Sequence, residues 1–239
     1  MVQSVPGELS RGPRQLPLSL PHEPAMGRAD FLRGQGNSEA LALIDRWPVW
    51  PERGVFLAGP VGSGKSHLVA IWQNASDALV VSARELDLSG LGSSKAVAVE
   101  DLHAGPVDEI ALFHLLNLAA ERDVALLFTS RAWPAGLSLR LPDLHSRLRA
   151  MQPVEIGEPE EELLRRVLTK LFADRQVAVD PGVIDYIVIR MERSLAVAAA
   201  LVERLDRLSL ATGSAVTKRL AGLVIAEMID RQPDFWPAD

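Results

Sequence analysis

The stretch GPVGSGKS, Gly59 to Ser66, combines the residue types that hold a phosphate. It fits G-x-x-x-x-G-K-[ST], a pattern that needs a strand before it and a helix after it. Glycines let the backbone amides of such a loop turn inward around an anion, and the following helix N-terminus adds partial positive charge. The Lys65 ammonium would then reach the β- and γ-phosphates, and the Ser66 hydroxyl would hold Mg²⁺. The candidate nucleotide contacts are therefore Gly59, Pro60, Val61, Gly62, Ser63, Gly64, Lys65 and Ser66, with His67 directly behind them.

Two further groups suit the same chemistry. Glu100 and Asp101 end the apolar run AVAVED, and acids at a strand's C-terminal end lie where ligands bind in open α/β sheets. One would bind Mg²⁺ through water, with Glu100 the metal ligand alongside Ser66, and the other would polarise an attacking water. Thr129 and Ser130 end ALLFTS and would set a hydroxyl near the γ-phosphate; Thr and Ser also end strands for turn reasons. Arg140, Arg147 and Arg149 lie around HSRLRA, where they either meet a phosphoryl group or form a solvated basic face. His103 and His114 have no companions suited to a metal site.

The N-terminal stretch RQLPLSLPHEP poses a different question. Its prolines exclude a helix or a central strand, yet Leu16, Leu18 and Leu20 are apolar in a tail otherwise poor in such residues. An extended peptide with Pro17 and Pro21 loses less entropy on docking, so Gln15 and the three leucines suit a partner's pocket. The competing reading packs those leucines on the chain's own domain.

Positioning these groups calls for strands GVFLAG, ALVVS, AVAVED, ALLFTS and QPVEI, with helical segments KSHLVAIWQNA, ARELDL and VDEIALFHLLNLAAERD between the first four. Short apolar strands alternating with helices indicate a parallel sheet covered on both faces. SEALALIDRW reads as a helix capped by Asn37 or Ser38. LPDLHSRLRAM adds a short helix, and after QPVEI only helices follow: 160–172, 181–190 with Asp180 as cap, 195–211 and 217–231. The expected organisation is a tail (1–27), an α/β nucleotide-binding domain (28–157), a small helical lid domain (158–231) and a C-terminal tail (232–239). Phe235 and Trp236 in that last tail are either tucked onto the lid or a contact.

Composition narrows the class. The 239 residues are 48% hydrophobic and 23% charged, with a net charge of −6, which argues against a dedicated nucleic-acid binder. No cysteine is present, so disulfides, thiolate metal sites and a Cys nucleophile are ruled out. No apolar run approaches the roughly 18 residues of a membrane span, and a soluble cytoplasmic protein is expected.

In this order and with a helical lid, these pieces resemble the AAA+ ATPases, and within them the Hda family of DnaA-related regulators of bacterial replication initiation. The residues that carry the resemblance are GPVGSGKSHL with His67, the acids of VAVEDLH, the FTS strand end and HSRLRA. DFLRGQGN resembles the segment that closes over adenine in DnaA-type proteins, which implies Phe31, Leu32 and Asn37 as base-side contacts. The resemblance implies ADP or ATP with Mg²⁺ as ligands, and Arg147 as an arginine lent to a neighbour's nucleotide. It implies DnaA and the DNA polymerase sliding clamp (its β subunit) as partners, since Gln15-Leu16-x-Leu18-x-Leu20 looks like the family's clamp-docking peptide. It allows a homo-oligomer, and it ends near residue 231 without DnaA's DNA-binding helix-turn-helix, so DNA contact is expected to be indirect or weak.

Three positions depart from the pattern. The strand-end acids read Glu-Asp, Arg131 stands where DnaA-type chains carry an acid, and the lid's sensor arginine falls at Ala196, with Arg193 one turn earlier as its substitute or no substitute at all. These departures imply weak ATPase activity of the chain's own, with catalysis stimulated in a partner's site. The alternative is a stand-alone AAA+ ATPase of helicase-loader or transposition-helper type. A small P-loop kinase is a third reading, disfavoured by the outward HSRLRA helix and the leucine tail.

Overall fold

The computed structural model describes residues 26–230, so Gln15, Leu16, Leu18 and Leu20 lie outside the described residues, as do Phe235 and Trp236. Five strands, β1 (Gly54–Ala58), β2 (Leu79–Ser82), β3 (Ala96–Glu100), β4 (Ala125–Ser130) and β5 (Gln152–Glu155), form one parallel sheet in the order β2-β3-β4-β1-β5. The central strands are apolar on both faces because helices cover both. Val55, Leu57, Ala98 and Leu127 pack with α1 (Ser38–Asp45) and α2 (Lys65–Ser76). Phe56, Val97, Val99, Leu126 and Phe128, one residue out of step, pack with α3 (Glu109–Arg122) and α4 (Pro142–Arg149). Pro153 is tolerated because β5 is an edge strand. On the α1–α2 side Trp50 stacks on buried Trp72 at 4.9 Å, with Trp47 edge-on to both.

Four helices follow: α5 (Glu161–Asp174), α6 (Pro181–Arg190), α7 (Leu195–Thr212) and α8 (Lys218–Asp230). They enclose a third apolar cluster that includes Leu168, Phe172, Ile187, Leu201, Leu205 and Val224. Asp180 caps α6 through Gly182 N–H at 2.8 Å, as the sequence predicts, and Ser194 caps α7 through Val197 N–H.

Two expectations need correction. ARELDL is not a helix: β2 and β3 are joined by a non-helical loop over residues 83–95. Ser82 bridges Glu85 there, and Asp87 accepts both the N–H and the hydroxyl of Ser89. Local side-chain bonds of this kind compete with helix formation, and Gly90 and Gly92, the latter at φ +50°, complete the break. Asn37 holds the cap position of α1, but its side chain makes no cap bond. Its Oδ1 accepts from Gly34 N–H at 2.8 Å and its Nδ2 donates to Leu32 O at 3.0 Å, fixing the loop 32–37 instead.

That loop joins the sheet domain to the helical one. Gln35 N–H donates to Glu160 Oε1 at 2.8 Å, Arg166 donates to Arg33 O at 3.0 Å, and Gly157 N–H donates to Gly36 O at 2.9 Å. Burial opposes the Glu160 charge, yet backbone donors from Gln35, Glu160 and Gly36 hold its pKa below the ordinary value. Lys170 of α5 bridges Asp174 and Asp30, and the two carboxylates keep its pKa raised. No helix among the described residues is long and apolar enough to cross a membrane.

Candidate functional site

The loop Gly59–Gly64 leaves the C-terminal end of β1 and runs into α2. Its start is pinned from both sides: Gly59 N–H donates to Ser130 O at 3.1 Å, and a Cβ on Gly59 would come within 2.5 Å of Ile156 O. Gly62 and Gly64 have φ of +68° and +102°, conformations that glycine adopts without strain and that turn the amides inward. Lys65 is only 7% exposed, and its ammonium donates to Gly59 O and Pro60 O, both at 2.8 Å. An ammonium has a third donor, which can be directed at a phosphate. Burial pulls the Lys65 pKa down to about 8; Asp101 opposes that fall, Arg131 adds to it, and Glu100 opposes it more weakly. Ser66 is exposed in the first turn of α2, while the Ser63 hydroxyl is buried without a hydrogen-bond partner.

Glu100 ends β3, and Asp101 follows in the left-handed conformation at φ +59°. The sequence predicts a γ-phosphate contact from Thr129. Its hydroxyl, buried, accepts Asp101 N–H at 3.0 Å, and its carbonyl accepts Leu102 N–H. Thr129 thus sets the angle at which the acidic pair leaves the sheet. The Ser130 hydroxyl accepts Ala132 N–H at 3.1 Å and so shapes the turn after β4. Mg²⁺ keeps several waters and takes phosphate oxygens, so Ser66 with one of these acids fits it without a carboxylate cage. No cluster of three metal-ligating side chains occurs among the described residues.

On the other side of the loop, buried Phe31 meets the His67 ring edge-on at 5.1 Å, and His67 Nε2 is 3.1 Å from Gly27 O. Phe31 also approaches Gly64 closely, and Leu195 of the lid reaches the same glycine. The α7 N-terminus touches the loop directly: Leu195 N–H donates to Gly62 O at 2.8 Å. A Cβ on Gly62 would lie 2.0 Å from Ser194 Oγ and 3.1 Å from Ala196 Cβ. Ala196, the position the sequence matches to a sensor arginine, therefore packs a methyl group on the loop. Arg193 instead pairs with Glu161 at 2.9 Å, with both side chains about half exposed.

Arg147 belongs to a separate surface. Its Nε pairs with Asp143 at 2.7 Å, Nη1 donates to Asn117 at 2.8 Å, and the guanidinium lies 5.1 Å from the centre of the Phe113 ring. Beside it, both carboxylate oxygens of Glu109 accept the backbone N–H groups of Arg140 and Leu141 at 2.8 Å. Ile110 and Leu141 are 68% and 40% exposed there.

The structure thus brings Gly59–Ser66, Glu100, Asp101, Thr129, Ser130, Phe31 and His67 to one edge of the sheet, and leaves Arg147 and Arg193 engaged elsewhere. It adds two residues that sequence reasoning passed over. His103 was set aside with the metal question and Arg131 noted only as a departure, yet His103 Nδ1 accepts Arg131 N–H at 3.1 Å beside the acids. The signal available in advance was their place immediately after strand ends.

No protein-family model matches the sequence. An uncharacterized protein of Haemophilus influenzae is 25% identical over 170 residues, covering 65% of this chain and 74% of its own. Among solved structures, domain III of the Thermotoga maritima replication initiation protein DnaA superposes with a TM-score of 0.74 at 19% identity, covering 88% of this chain and 99% of that domain. AMPPCP-bound DnaA from Aquifex aeolicus gives 0.66 at 18% identity, covering 88% and 71%. The chain shares its fold with domain III of DnaA. The Thermotoga maritima RuvB Holliday junction branch migration motor gives a TM-score of 0.63 at 19% identity, covering 82% of this chain and 70% of that one.

Proposed function

We propose that this chain binds an adenine nucleotide, ADP or ATP with Mg²⁺, at Gly59–Ser66 and acts as an Hda-like negative regulator of replication initiation. Gln15, Leu16, Leu18 and Leu20 tether it to the DNA-loaded sliding clamp, and Arg147 is presented to ATP-bound DnaA, whose ATP is then hydrolysed. DnaA and the clamp are the proposed partners; the nucleotide-bound DnaA relatives support the ligand.

The observation that carries the reading is the bracing of Arg147. An arginine that stabilises charge on a neighbour's phosphoryl group has to be held outward in one orientation, since lost side-chain freedom weakens every such contact. Asp143, Asn117 and the Phe113 ring supply that hold, and the exposed Ile110 and Leu141 give a protein neighbour apolar surface to cover. A guanidinium has five donors, so with Nε and one Nη1 donor engaged, the outer Nη2 edge can meet a phosphate oxygen. Ser66 and Glu100 hold the metal of the chain's own nucleotide, Asp101 polarises the attacking water, and Phe31, Leu32 and Asn37 lie on the side of its base.

The test has two arms. Purified clamp binds the intact chain at micromolar concentration or tighter, and Gln15→Ala with Leu16→Ala loses that binding. DnaA-bound ATP is hydrolysed faster with the chain and clamp on DNA than without, and Arg147→Ala removes the gain. Intact hydrolysis with Arg147→Ala sinks the finger, and no clamp binding by the intact chain sinks the tether.

The second reading is a stand-alone AAA+ ATPase. The assembled Lys65, Asp101 and Thr129 favour it, because they complete the edge of the sheet where hydrolysis would occur. Strong ATP turnover by the isolated chain, stimulated by single-stranded DNA, would decide for it.

A further inference from the structure

We propose that Glu109 is a positioning residue for Arg147: its carboxylate fixes how α4 lies along α3, and so where the Arg147 guanidinium is offered to a neighbour's nucleotide. The proposal rests on the reading of Arg147 as an arginine finger.

The start of α4 has no cap of its own. Leu141 occupies the cap position, where an apolar side chain offers no oxygen, and Pro142 follows at the first helical position. The missing acceptor comes from another helix. One Glu109 carboxylate oxygen accepts Arg140 N–H and the other accepts Leu141 N–H, each at 2.8 Å, across 31 and 32 residues of sequence. Hydrogen bonds to an ionised carboxylate are stronger than neutral ones, and negative charge suits a helix N-terminus. Glu109 itself stands on a fixed helix start, because Asp108 caps α3 by accepting Ile110 N–H and Ala111 N–H, both at 3.0 Å.

This clasp is continuous with the bracing of Arg147. Glu109, Phe113 and Asn117 recur at every fourth residue and so lie along one face of α3. Glu109 holds the backbone entering α4, the Phe113 ring lies 5.1 Å from the guanidinium, and Asn117 accepts from Arg147 Nη1. Glu109 meets Leu141 and Asn117 meets Arg147, so the two helices run in the same sense. The six residues from Leu141 to Arg147 span about 9 Å of helix. A shift at the first contact is therefore carried along α4 to the guanidinium.

The helix does not need the clasp in order to pack. Leu144 and Leu148 are 0% and 1% exposed, and the two His145 ring nitrogens lie 3.0 and 3.2 Å from Pro134 O and Leu139 O. Without Glu109, α4 stays folded on the sheet but loses its alignment on α3. In a reaction that depends on orientation, a misplacement of about 1 Å costs about a hundredfold.

The experiment follows hydrolysis of DnaA-bound ATP with the full-length protein and clamp on DNA. Glu109→Ala should lower the maximal stimulated rate by about thirtyfold, within that limit, and leave the protein concentration for half-maximal stimulation nearly unchanged. Should Glu109→Ala melt early, Glu109→Gln, which keeps one acceptor oxygen, carries the same test with a smaller loss. Glu109→Ala added to Arg147→Ala should lower the rate no further, since the first acts through the second. In the free protein, Glu109→Ala should displace the Arg147 side-chain Nε–H signal in an NMR spectrum. An unmoved signal, a further fall in the double variant, or a raised half-maximal concentration with the maximal rate intact would each overturn the assignment. Failure of the unaltered protein to stimulate hydrolysis would sink the finger reading instead, and the Nε–H signal would still decide whether Glu109 positions Arg147.

Discussion

The sheet edge at Gly59 and the α3–α4 face at Arg147 hold their cations in opposite ways. At the sheet edge Lys65 is buried and bonded to the backbone of its own loop, and the lid meets that loop with a backbone N–H, a serine and a methyl group. On the α3–α4 face Arg147 is partly exposed and held by side chains alone, with uncovered apolar residues beside it. Under the proposed function, the first arrangement serves a ligand that stays, and the second a ligand that belongs to another molecule. On the same reading, a chain that hydrolysed its own nucleotide repeatedly would carry a charged side chain at the start of α7, where the helical region meets the loop. Here that lid position is an alanine in contact with Gly62.

The largest effect should come from Arg147→Ala. Under the proposed function it lowers stimulated hydrolysis of DnaA-bound ATP by a factor on the order of 10³, as removal of an arginine finger does. Its structural cost is small, about 1 kcal/mol, because a partly exposed ion pair and one cation–π contact are lost. A melting curve and a single-turnover assay on the same preparation separate the two. A large fall in stability with unchanged stimulation would make Arg147 a structural residue and erase the contrast between the two surfaces.

Lys65→Ala tests the other side. Nucleotide affinity should fall a hundredfold or more, read by titration, while the unliganded protein is no less stable. Burial lowers the Lys65 pKa from 10.5 to about 8. Between those values the unfolded chain binds a proton that the folded chain does not, so stability rises with pH across about 8 to 10.5 and is flat on either side. The slope is at most about 1.4 kcal/mol per pH unit, and Lys65→Ala should remove that component from denaturant melts across this range.

Gly62→Ala should have a smaller effect and act through the contact between loop and lid. A side chain at φ +68° costs about 1 kcal/mol, and the new methyl would strike Ser194 Oγ. Ser194 could move only by giving up its cap on α7, which costs about 1 kcal/mol more. A destabilisation of about 2 kcal/mol, with faster amide exchange at the start of α7, is the expected result. Unchanged exchange there would mean that the lid does not depend on this contact.

Much of this contrast was legible in the residues, and the reason is local periodicity. The strands around Val55, Val97 and Leu126 announce themselves because both faces are buried, and Asp180 announces α6 because its cap bond lies within two residues. ARELDL misled because Asp87 and the following glycines outweigh its leucines, which pack on the sheet as a loop. The side chain of Asn37 is committed to its own loop, and Thr129 holds the backbone of Asp101, 28 residues away in sequence. Neither bond has a periodic trace. The contacts of Ala196 with Gly62 and of Arg131 with His103 likewise join segments far apart in the chain, so motif spacing flagged the positions without disclosing their use.

Arg193→Ala should have the smallest effect, and it sharpens the comparison most economically. Arg193 and Glu161 form an exposed pair with side chains 54% and 52% accessible, so the loss to stability should be no more than about 0.5 kcal/mol. If the lid reads the nucleotide only through backbone and small groups, ATP affinity should change less than threefold as well. A tenfold loss of ATP affinity with the melting temperature unmoved would require Arg193 to leave Glu161 when nucleotide binds. The lid would then carry a mobile charged sensor after all, and the sheet edge would no longer differ from a self-sufficient ATPase in the feature that sets it apart from the Arg147 face.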